Sequence, residues 1–170
     1  MVRLQGAPLS QPIEAYCKLV DEALAEMPDA RAYRLKKVSV NQWISLKGSA
    51  FTLSEVTEAR MNGGVTGFLQ SISPFCHLPQ ERTAEILLEL MRYNHTLPGA
   101  FFGIADGYIV LKMIRELQDL DKSEIVNQLR TVAYVSDMLD NQLIGEFGLT
   151  KVDVNIELVR QLAHLPDIEL

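Results

Sequence analysis

The spacing of the apolar residues changes along this chain, from the helical period of about 3.6 residues to the strand period of two and back. Between Pro12 and Met27 the i, i+3, i+4 spacing predicts an amphipathic helix whose apolar side is Ile13, Tyr16, Cys17, Val20, Ala23 and Leu24. From residue 33 to 72, β-branched and aromatic runs between turn residues predict three strands, near 34–40 or on to 46, at 50–60 and at 65–72. These changes of period restrict the chain to folds that combine helices with a sheet.

The second half of the chain carries the sharpest turn signal. Asp106-Gly107 separates two apolar runs, and this dipeptide accepts the positive φ angles of a type I′ turn. A hairpin is therefore predicted from Phe101 to Ile114. A helix is predicted before it, from Pro79 to His95, and a helix of about seven turns after it, from the capping residue Asp121 to Phe147.

These elements predict an α+β fold in the order α-βββ-α-ββ-α, with an antiparallel sheet of about five strands and a short C-terminal helix. No repeat or long linker divides the chain, so we expect one domain over residues 1–170, with a core at 10–148 and a tail helix within 149–170. Thr150 and Asp153 resemble the capping box of that tail helix. With the helices on one face, the other face or a strand edge would need cover.

Composition narrows the classes of function. The chain has 16 Lys and Arg against 22 Asp and Glu, a formal charge of −6, so a nucleic-acid-binding face is not expected. No run approaches the roughly 18 apolar residues of a membrane span, and no secretory signal is recognisable. Cys17 and Cys76 have no partner at metal-site spacing. We therefore expect a cytoplasmic protein with reduced thiols and no membrane contact.

Three segments invite a catalytic or ligand-binding interpretation, and each also has a structural one. Cys76 beside His77 could form an activated thiol, but a free cysteine is more often simply buried. The glycines of 62–67 lack the Gly-Lys-Ser/Thr ending of a phosphate loop and precede a strand, so they indicate a hairpin turn. Helix capping explains most of the acidic group at 119–124. No catalytic residue, metal ligand or cofactor is predicted.

Trp43, the only tryptophan, has two interpretations. A buried position in the core is the commoner one for a Trp side chain. Alternatively, an incompletely covered strand face would form an apolar patch for an extended or amphipathic segment of a partner, which would add main-chain hydrogen bonds at an open strand edge. The predicted partner-binding residues of that patch are Trp43, Ile44, Phe51, Leu53 and Phe68.

The order of elements over about Ser10 to Gly148 resembles the Tir-chaperone family of class I type III secretion chaperones, the related YbjN-like proteins and similar uncharacterised cyanobacterial proteins. The resemblance rests on Leu87, Leu88, Glu89, Leu90, Met91, Asn94, Phe101, Phe102, Gly103, Ile104, Asp106, Gly107, Val110, Leu120, Asp121, Leu129, Phe147 and Gly148. The strand region of this chain is longer than in the secretion chaperones, and residues 150–170 have no counterpart in them.

The resemblance implies a compact α+β homodimer that binds a segment of a client protein and has no enzymatic activity. The helix from Pro79 and the hairpin from Phe101 are the candidate dimer interface, with Met91, Tyr93, Phe101 and Phe102 as its residues. Two alternatives stay open: a cytosolic regulator or small-molecule sensor with a pocket between sheet and helices, and a thiol enzyme using Cys76.

Overall fold

The computed structural model describes residues 9–61 and 64–164. Within these residues, four α-helices lie at Ile13–Ala25 (α1), Thr83–Thr96 (α2), Lys122–Phe147 (α3) and Ile156–Ala163 (α4), and a 3-10 turn spans Ala30–Tyr33. Strands in the same part of the chain lie at Lys36–Lys37 (β1), Gln42–Lys47 (β2), Ala50–Met61 (β3), Gly64–His77 (β4), Phe101–Ala105 (β5) and Tyr108–Glu116 (β6). The α+β prediction is confirmed.

The strands form one antiparallel sheet in the order β1-β2-β3-β4-β6-β5. The sheet has one more strand than predicted, because a turn splits the first predicted strand into β1 and β2. In that turn the Val38 N–H donates to the carbonyl of Gln42 (2.9 Å). The predicted hairpin turn at Asn62 and Gly63 lies outside the described residues, between the paired ends of β3 and β4.

Strand β4 is longer than predicted, because it continues through the segment 74–77 that we expected to be a connection. A proline cannot donate to a strand ladder and is tolerated at bulges. The pairing of β4 with β6 shifts register between Pro74 and Cys76, which is such a bulge. Cys76 and His77 therefore belong to a central strand.

Helices α1, α2 and α3 pack on one face of the sheet, which we call the α3 face. Its buried residues alternate along the strands, as a two-sided sheet requires, and they include Trp43, Val56, Leu69, Phe75 and Leu111. Gln128 of α3 is fully buried among them, and its Nε2 donates to the carbonyls of Leu69 (3.0 Å) and Met113 (3.2 Å).

Helix α4 packs on the opposite face, which we call the α4 face. It covers Leu53, Ile72 and Val110 in the middle of the sheet. The expectation that all helices lie on one face is therefore wrong: residues predicted to form a tail complete a second core layer. A local sequence pattern shows that α4 is amphipathic, but it does not show which distant strands receive its apolar side.

The helix ends follow from short-range chemistry. Asp121 and Glu124 form a capping box at the start of α3, and Gly148 ends that helix with a left-handed backbone (φ 64°). Helix α2 begins at Thr83 rather than Pro79, because the intervening Arg82 is left-handed (φ 55°). The predicted Thr150 box is also wrong, since the Asn155 side chain caps α4 instead.

Candidate functional site

Trp43 is a core residue, only 3% exposed. Its side chain lies on the α3 face, where α1 packs, and its Nε1–H donates to the Asp21 Oδ1 of that helix (2.8 Å). A buried indole needs such a partner for its single donor. The core interpretation of Trp43 is therefore confirmed.

The other four residues of the predicted docking patch alternate onto the α4 face. Leu53 is fully buried under α4, and Phe68 is buried as well. Ile44 and Phe51 are half-buried beside the same helix. The structure therefore does not bring Trp43, Ile44, Phe51, Leu53 and Phe68 together on one exposed surface, because neighbouring strand residues point to opposite faces.

The predicted dimer-interface residues divide into two pairs. Met91 is 69% exposed on α2, and Phe101 is exposed on β5. Phe102 is buried, and its ring meets those of Phe75 and Tyr93 with centroids 5.1 and 6.2 Å apart. Tyr93 is half-buried and its hydroxyl accepts from Gln142 Nε2 (3.0 Å). Met91 and Phe101 thus face outward, while Phe102 and Tyr93 support the core.

Helix α2 and strand β5 form one outer edge of the molecule, which we call the α2–β5 edge. Besides Met91 and Phe101, this edge exposes Leu88 on α2 and Ile104 on β5. Neither was predicted as an interface residue. Leu88 lies three residues before Met91, on the side of α2 away from the buried Ile86 and Leu90. The apolar spacing alone does not show which of these residues are buried.

Asn94 closes part of this edge. Its Nδ2 donates to the carbonyl of Phe102 (3.0 Å), and its Oδ1 accepts from the N–H of the same residue (2.6 Å). The amide thus occupies the position that a neighbouring strand would take. Ile104, two residues further, points its N–H and C=O toward the same side.

Charged groups at the α2–β5 edge neutralise one another within α2. Arg82 pairs with Glu85 (2.7 Å) and Arg92 with Glu89 (2.9 Å), each three residues apart on the helix. The Arg82 hydrogen bonds hold the pKa of the Glu85 carboxyl below its ordinary value, so this acid is ionised near neutral pH. The exposed apolar residues therefore lie beside paired charges of both signs.

A second open edge lies where β3 extends beyond the end of β2. The ladder between them ends at Gln42 and Glu55. Beyond the end of this ladder, Val56 is bound by Asn41. The main-chain carbonyl of Asn41 accepts from the Val56 N–H (3.0 Å), and its side-chain Nδ2 donates to the Val56 carbonyl (2.9 Å). Glu58 points its backbone groups toward the same side.

A groove of about 500 Å³ runs along this second edge, between α1 and β3. We call it the β3-edge groove, and its lining includes Ile13, Glu14, Cys17, Val40, Thr57 and Glu58. Asp21 is neutralised there by Lys37 (2.5 Å). Within the described residues Glu14 and Glu58 have no ion-pair partner within 4.0 Å, and the other cation of the lining, Lys18, lies 3.9 Å from Glu22, so the two acids leave negative charge in the groove.

The Cys76 thiol has the opposite of the features that activate a nucleophile. It is 1% exposed, and burial raises its pKa to about 11. The ring of the adjacent His77 instead stacks on Tyr108, with centroids 4.3 Å apart. The structure thus gives no support to the thiol-enzyme hypothesis at this position.

The acidic cluster at the start of α3 is a helix cap, as predicted. Among the described residues, no three His, Cys, Asp or Glu side chains come together as a metal site would require.

Within the part of the chain that the structure covers, no helix combines the length and apolarity needed to cross a bilayer.

Comparisons with protein-family models and with curated proteins find no match for this chain. The resemblance to secretion chaperones therefore stays a prediction. It depends on the element order and on the short motifs around α2 and the β5–β6 hairpin.

Proposed function

We propose that this protein is a homodimeric protein-binding module, which joins two copies at the α2–β5 edge and binds an extended client segment in the β3-edge groove. The observation that carries the proposal is the exposure of Leu88 and Met91 on α2 and of Ile104 on the same face of β5, at one edge of the molecule. Phe101 is exposed at the same edge but on the α4 face, because it pairs with Lys112 beside Ile72. Apolar side chains grouped on a surface are typical of association sites.

A second copy is the occupant that best fits the α2–β5 edge. A twofold interface brings the same surface of each copy together, so its charges must tolerate their own image. The paired Arg82–Glu85 and Glu89–Arg92 groups satisfy that condition, since neither sign is in excess. Because Asn94 occupies the strand position at Phe102, the contact is made by α2 side chains rather than by a continuous sheet.

The β3-edge groove is the better place for an extended segment. Strand addition needs backbone groups that face a free side, together with pockets for alternate side chains. Glu58 supplies the backbone groups, Ile13 and Val40 supply apolar walls, and Glu14 adds negative charge. The client segment therefore alternates apolar with basic residues.

A pair of methionine variants tests the dimer. Met91→Glu places a charge in the interface and is expected to halve the mass measured by light scattering. Met138→Glu is the matched control, because Met138 is also an exposed helical methionine, at 49%, but lies on α3. An unchanged mass for Met91→Glu, or the same loss in both variants, contradicts the α2–β5 interface.

A peptide that alternates Val and Lys tests the groove. Its fluorescence anisotropy should rise on addition of the protein, and Glu58→Lys should weaken the binding about tenfold or more, whereas the control Glu157→Lys on α4 should not. Equal binding by both variants contradicts the groove as the client site.

The small-molecule sensor remains a second candidate, because a volume of about 500 Å³ also suits a small ligand. A thermal-shift screen with metabolites distinguishes it. A metabolite that raises the melting temperature, together with no binding of the Val and Lys peptide, would favour the sensor.

A further inference from the structure

The outward side of α3 has no exposed charged residue over about four turns, which is unusual for a helix face in contact with water. Between 127 and 142 its exposed residues are all uncharged: Asn127, Tyr134, Met138, Asn141 and Gln142. We call these residues the Tyr134 surface. Helix α1 has the ordinary pattern, because Glu14, Lys18 and Glu22 lie at a spacing of four on its exposed side. Depletion of charge is typical of protein interfaces.

Two large side chains lie in the middle of the Tyr134 surface. Tyr134 is 55% exposed and Met138 is 49% exposed. They are four residues apart, so they are neighbours on the helix surface and expose one continuous patch. Tyrosine and methionine are among the residues that interfaces favour over the rest of a protein surface.

The 3-10 turn and the end of β2 place a cation near this surface. Lys47 Nζ lies over the ring of Tyr33, 5.1 Å from its centroid. Burial raises the pKa of the Tyr33 hydroxyl, and the nearby Tyr134 acts on that pKa in the same direction. Tyr33 is thus a neighbour of both the Lys47 ammonium group and Tyr134.

Arg34 adds a second cation at the same end of β2. Its guanidinium donates to the carbonyls of Leu46 (3.3 Å) and Gly48 (3.1 Å), which are neutral acceptors. Among the described residues, neither Arg34 nor Lys47 has a carboxylate within 4.0 Å. Both charges are therefore available to a partner.

Two acids face the same region from neighbouring elements. Asp29 is neutralised by Arg130 of α3, and Asp137 accepts from a backbone N–H of the β2–β3 turn (3.3 Å). Positive charge stays in excess, because Arg31 is also exposed on the 3-10 turn. The sequence has the same bias: residues 30–54 contain five Lys and Arg and no Asp or Glu, although the formal charge of the chain is −6.

This excess of one sign limits what can bind to the Tyr134 surface. A second copy related by a twofold axis would bring the cations against their own image, unlike the balanced charges of the α2–β5 edge. The matching partner is acidic. Because the backbone groups of α3 bond within the helix, they offer nothing to an extended segment, whereas a partner helix satisfies its own backbone and needs only side-chain contacts.

We propose that the Tyr134 surface is a docking site for an acidic amphipathic helix of a partner protein. Apolar residues of that helix cover Tyr134 and Met138, and its acidic residues face Arg34 and Lys47. The proposed client of the β3-edge groove is basic and extended, so the two surfaces select opposite chemistries. This proposal can therefore fail or succeed independently of the dimer and the groove.

The probes are two fluorescent helical peptides of about 18 residues with Leu at the i, i+3, i+4 and i+7 positions. One carries Glu at the flanking positions, and the other carries Lys there. With the full chain, the anisotropy of the Glu peptide should rise to saturation, and the Lys peptide should bind at least about tenfold more weakly. An ionic strength of about 0.5 M should reduce this difference, because salt screens exposed charges.

Variants of the full chain locate the binding. Met138→Glu should weaken binding of the Glu peptide about tenfold or more, whereas the control Met91→Glu on α2 should leave it unchanged. Lys47→Gln should weaken the same binding several-fold, and the control Lys18→Gln, an exposed lysine of α1, should not.

Tyr134→Ala separates docking from a structural role. Because the side chain is exposed, this change should weaken binding of the Glu peptide several-fold and leave the urea midpoint near the wild-type value. A large fall in the midpoint would show that Tyr134 supports the fold and would overturn the proposal. Equal binding of the Glu and Lys peptides, no saturable binding of the Glu peptide, or full binding by Met138→Glu would overturn it as well.

Discussion

At the scale of single residues, two asparagines satisfy the outward backbone groups of an open strand edge. Asn94 holds the outer edge of β5 at Phe102, and Asn41 holds the edge of β3 at Val56. Unpaired strand edges invite uncontrolled pairing with other chains, and Asn94 prevents it at Phe102 because its side-chain amide satisfies both backbone groups. At Val56 the Asn41 side chain donates to the carbonyl, and the Asn41 main-chain carbonyl accepts from the N–H. The two edges differ, because the β3 edge continues past its asparagine into a groove.

Substitution of Asn94 should therefore affect both stability and self-association. Asn94→Ala removes two hydrogen bonds, at roughly 0.5–1.5 kcal/mol each, and opens the β5 edge. We expect a lower urea midpoint and a mass that rises with concentration beyond the dimer. Asn127→Ala, an exposed position on α3, is the control. A stable variant of unchanged mass would show that Asn94 does not guard the edge.

Trp43 reports on the packing of α1 against the sheet. Since its indole is buried, its fluorescence should lie at short wavelength and resist quenching by acrylamide. Trp43→Ala should cost roughly 3–5 kcal/mol in the free energy of unfolding measured with urea, the usual range for a truncated core Trp. A quenchable, long-wavelength emission would contradict the buried position.

The cap of α3 predicts a pH dependence. Hydrogen bonds from the Ser123 hydroxyl (2.7 Å) and the Glu124 N–H (2.9 Å) hold the pKa of the Asp121 carboxyl below its ordinary value of 3.8. A lowered folded-state pKa stabilises the protein above the unfolded-state value and loses that effect as the pH falls through the folded-state value. Asp121→Ala should therefore lower the melting temperature more at neutral pH than below about pH 3.

Asp121→Asn is the matched variant, because asparagine caps helices as well as aspartate does. It should melt near the wild-type temperature at neutral pH. An Asp121→Ala deficit that stays constant from neutral pH to acid would contradict the role of the ionised cap.

At the scale of elements, the helices follow from local chemistry and the sheet only in part. The spacing of α1 and the spacing and caps of α3 lie within each segment, so the sequence predicts them closely. The N-cap of α1 is Pro12, without a side-chain cap, rather than the predicted Ser10 or Gln11. The extension of β4 through Pro74 was missed, because a proline normally marks the end of a central strand and the bulge that accommodates it involves β6. The position of α4 was missed because the strand residues that it covers, Leu53, Ile72 and Val110, lie far apart in the sequence.

The same limit applies to the candidate site. Met91 and Phe101 are exposed, and their place in a dimer interface stays a prediction. The groove at the β3 edge depends on where β2 ends and on where α1 crosses the sheet. A local sequence pattern predicts neither position. Trp43 and Ile44 cannot belong to one patch for a simpler, local reason, since adjacent residues of β2 point to opposite faces of the sheet.

The β2–β3 turn makes a prediction of its own. Gly48 has a left-handed backbone (φ 53°), and a Cβ there would lie 1.8 Å from Asp137 Oδ1 of α3. Gly107 is also left-handed (φ 78°), but a Cβ would meet nothing within 4 Å. Gly107→Ala should thus cost only the backbone strain, about 1 kcal/mol, and Gly48→Ala clearly more in urea unfolding. Equal costs would contradict the close approach of this turn to α3.

At the scale of the whole molecule, the sheet is covered on both faces by its own helices, so association is left to the edges. The α2–β5 edge exposes apolar side chains beside balanced charges, and the β3-edge groove offers backbone groups beside acids. These two surfaces differ in chemistry, so we expect the proposed dimer contact and the proposed client site not to compete.

The mass in solution tests this account most directly. Light scattering on the full chain across micromolar concentrations should give twice 19.1 kDa, with Met91→Glu reduced to a folded monomer and Met138→Glu unchanged. A wild-type mass of 19.1 kDa throughout that range would contradict the homodimer.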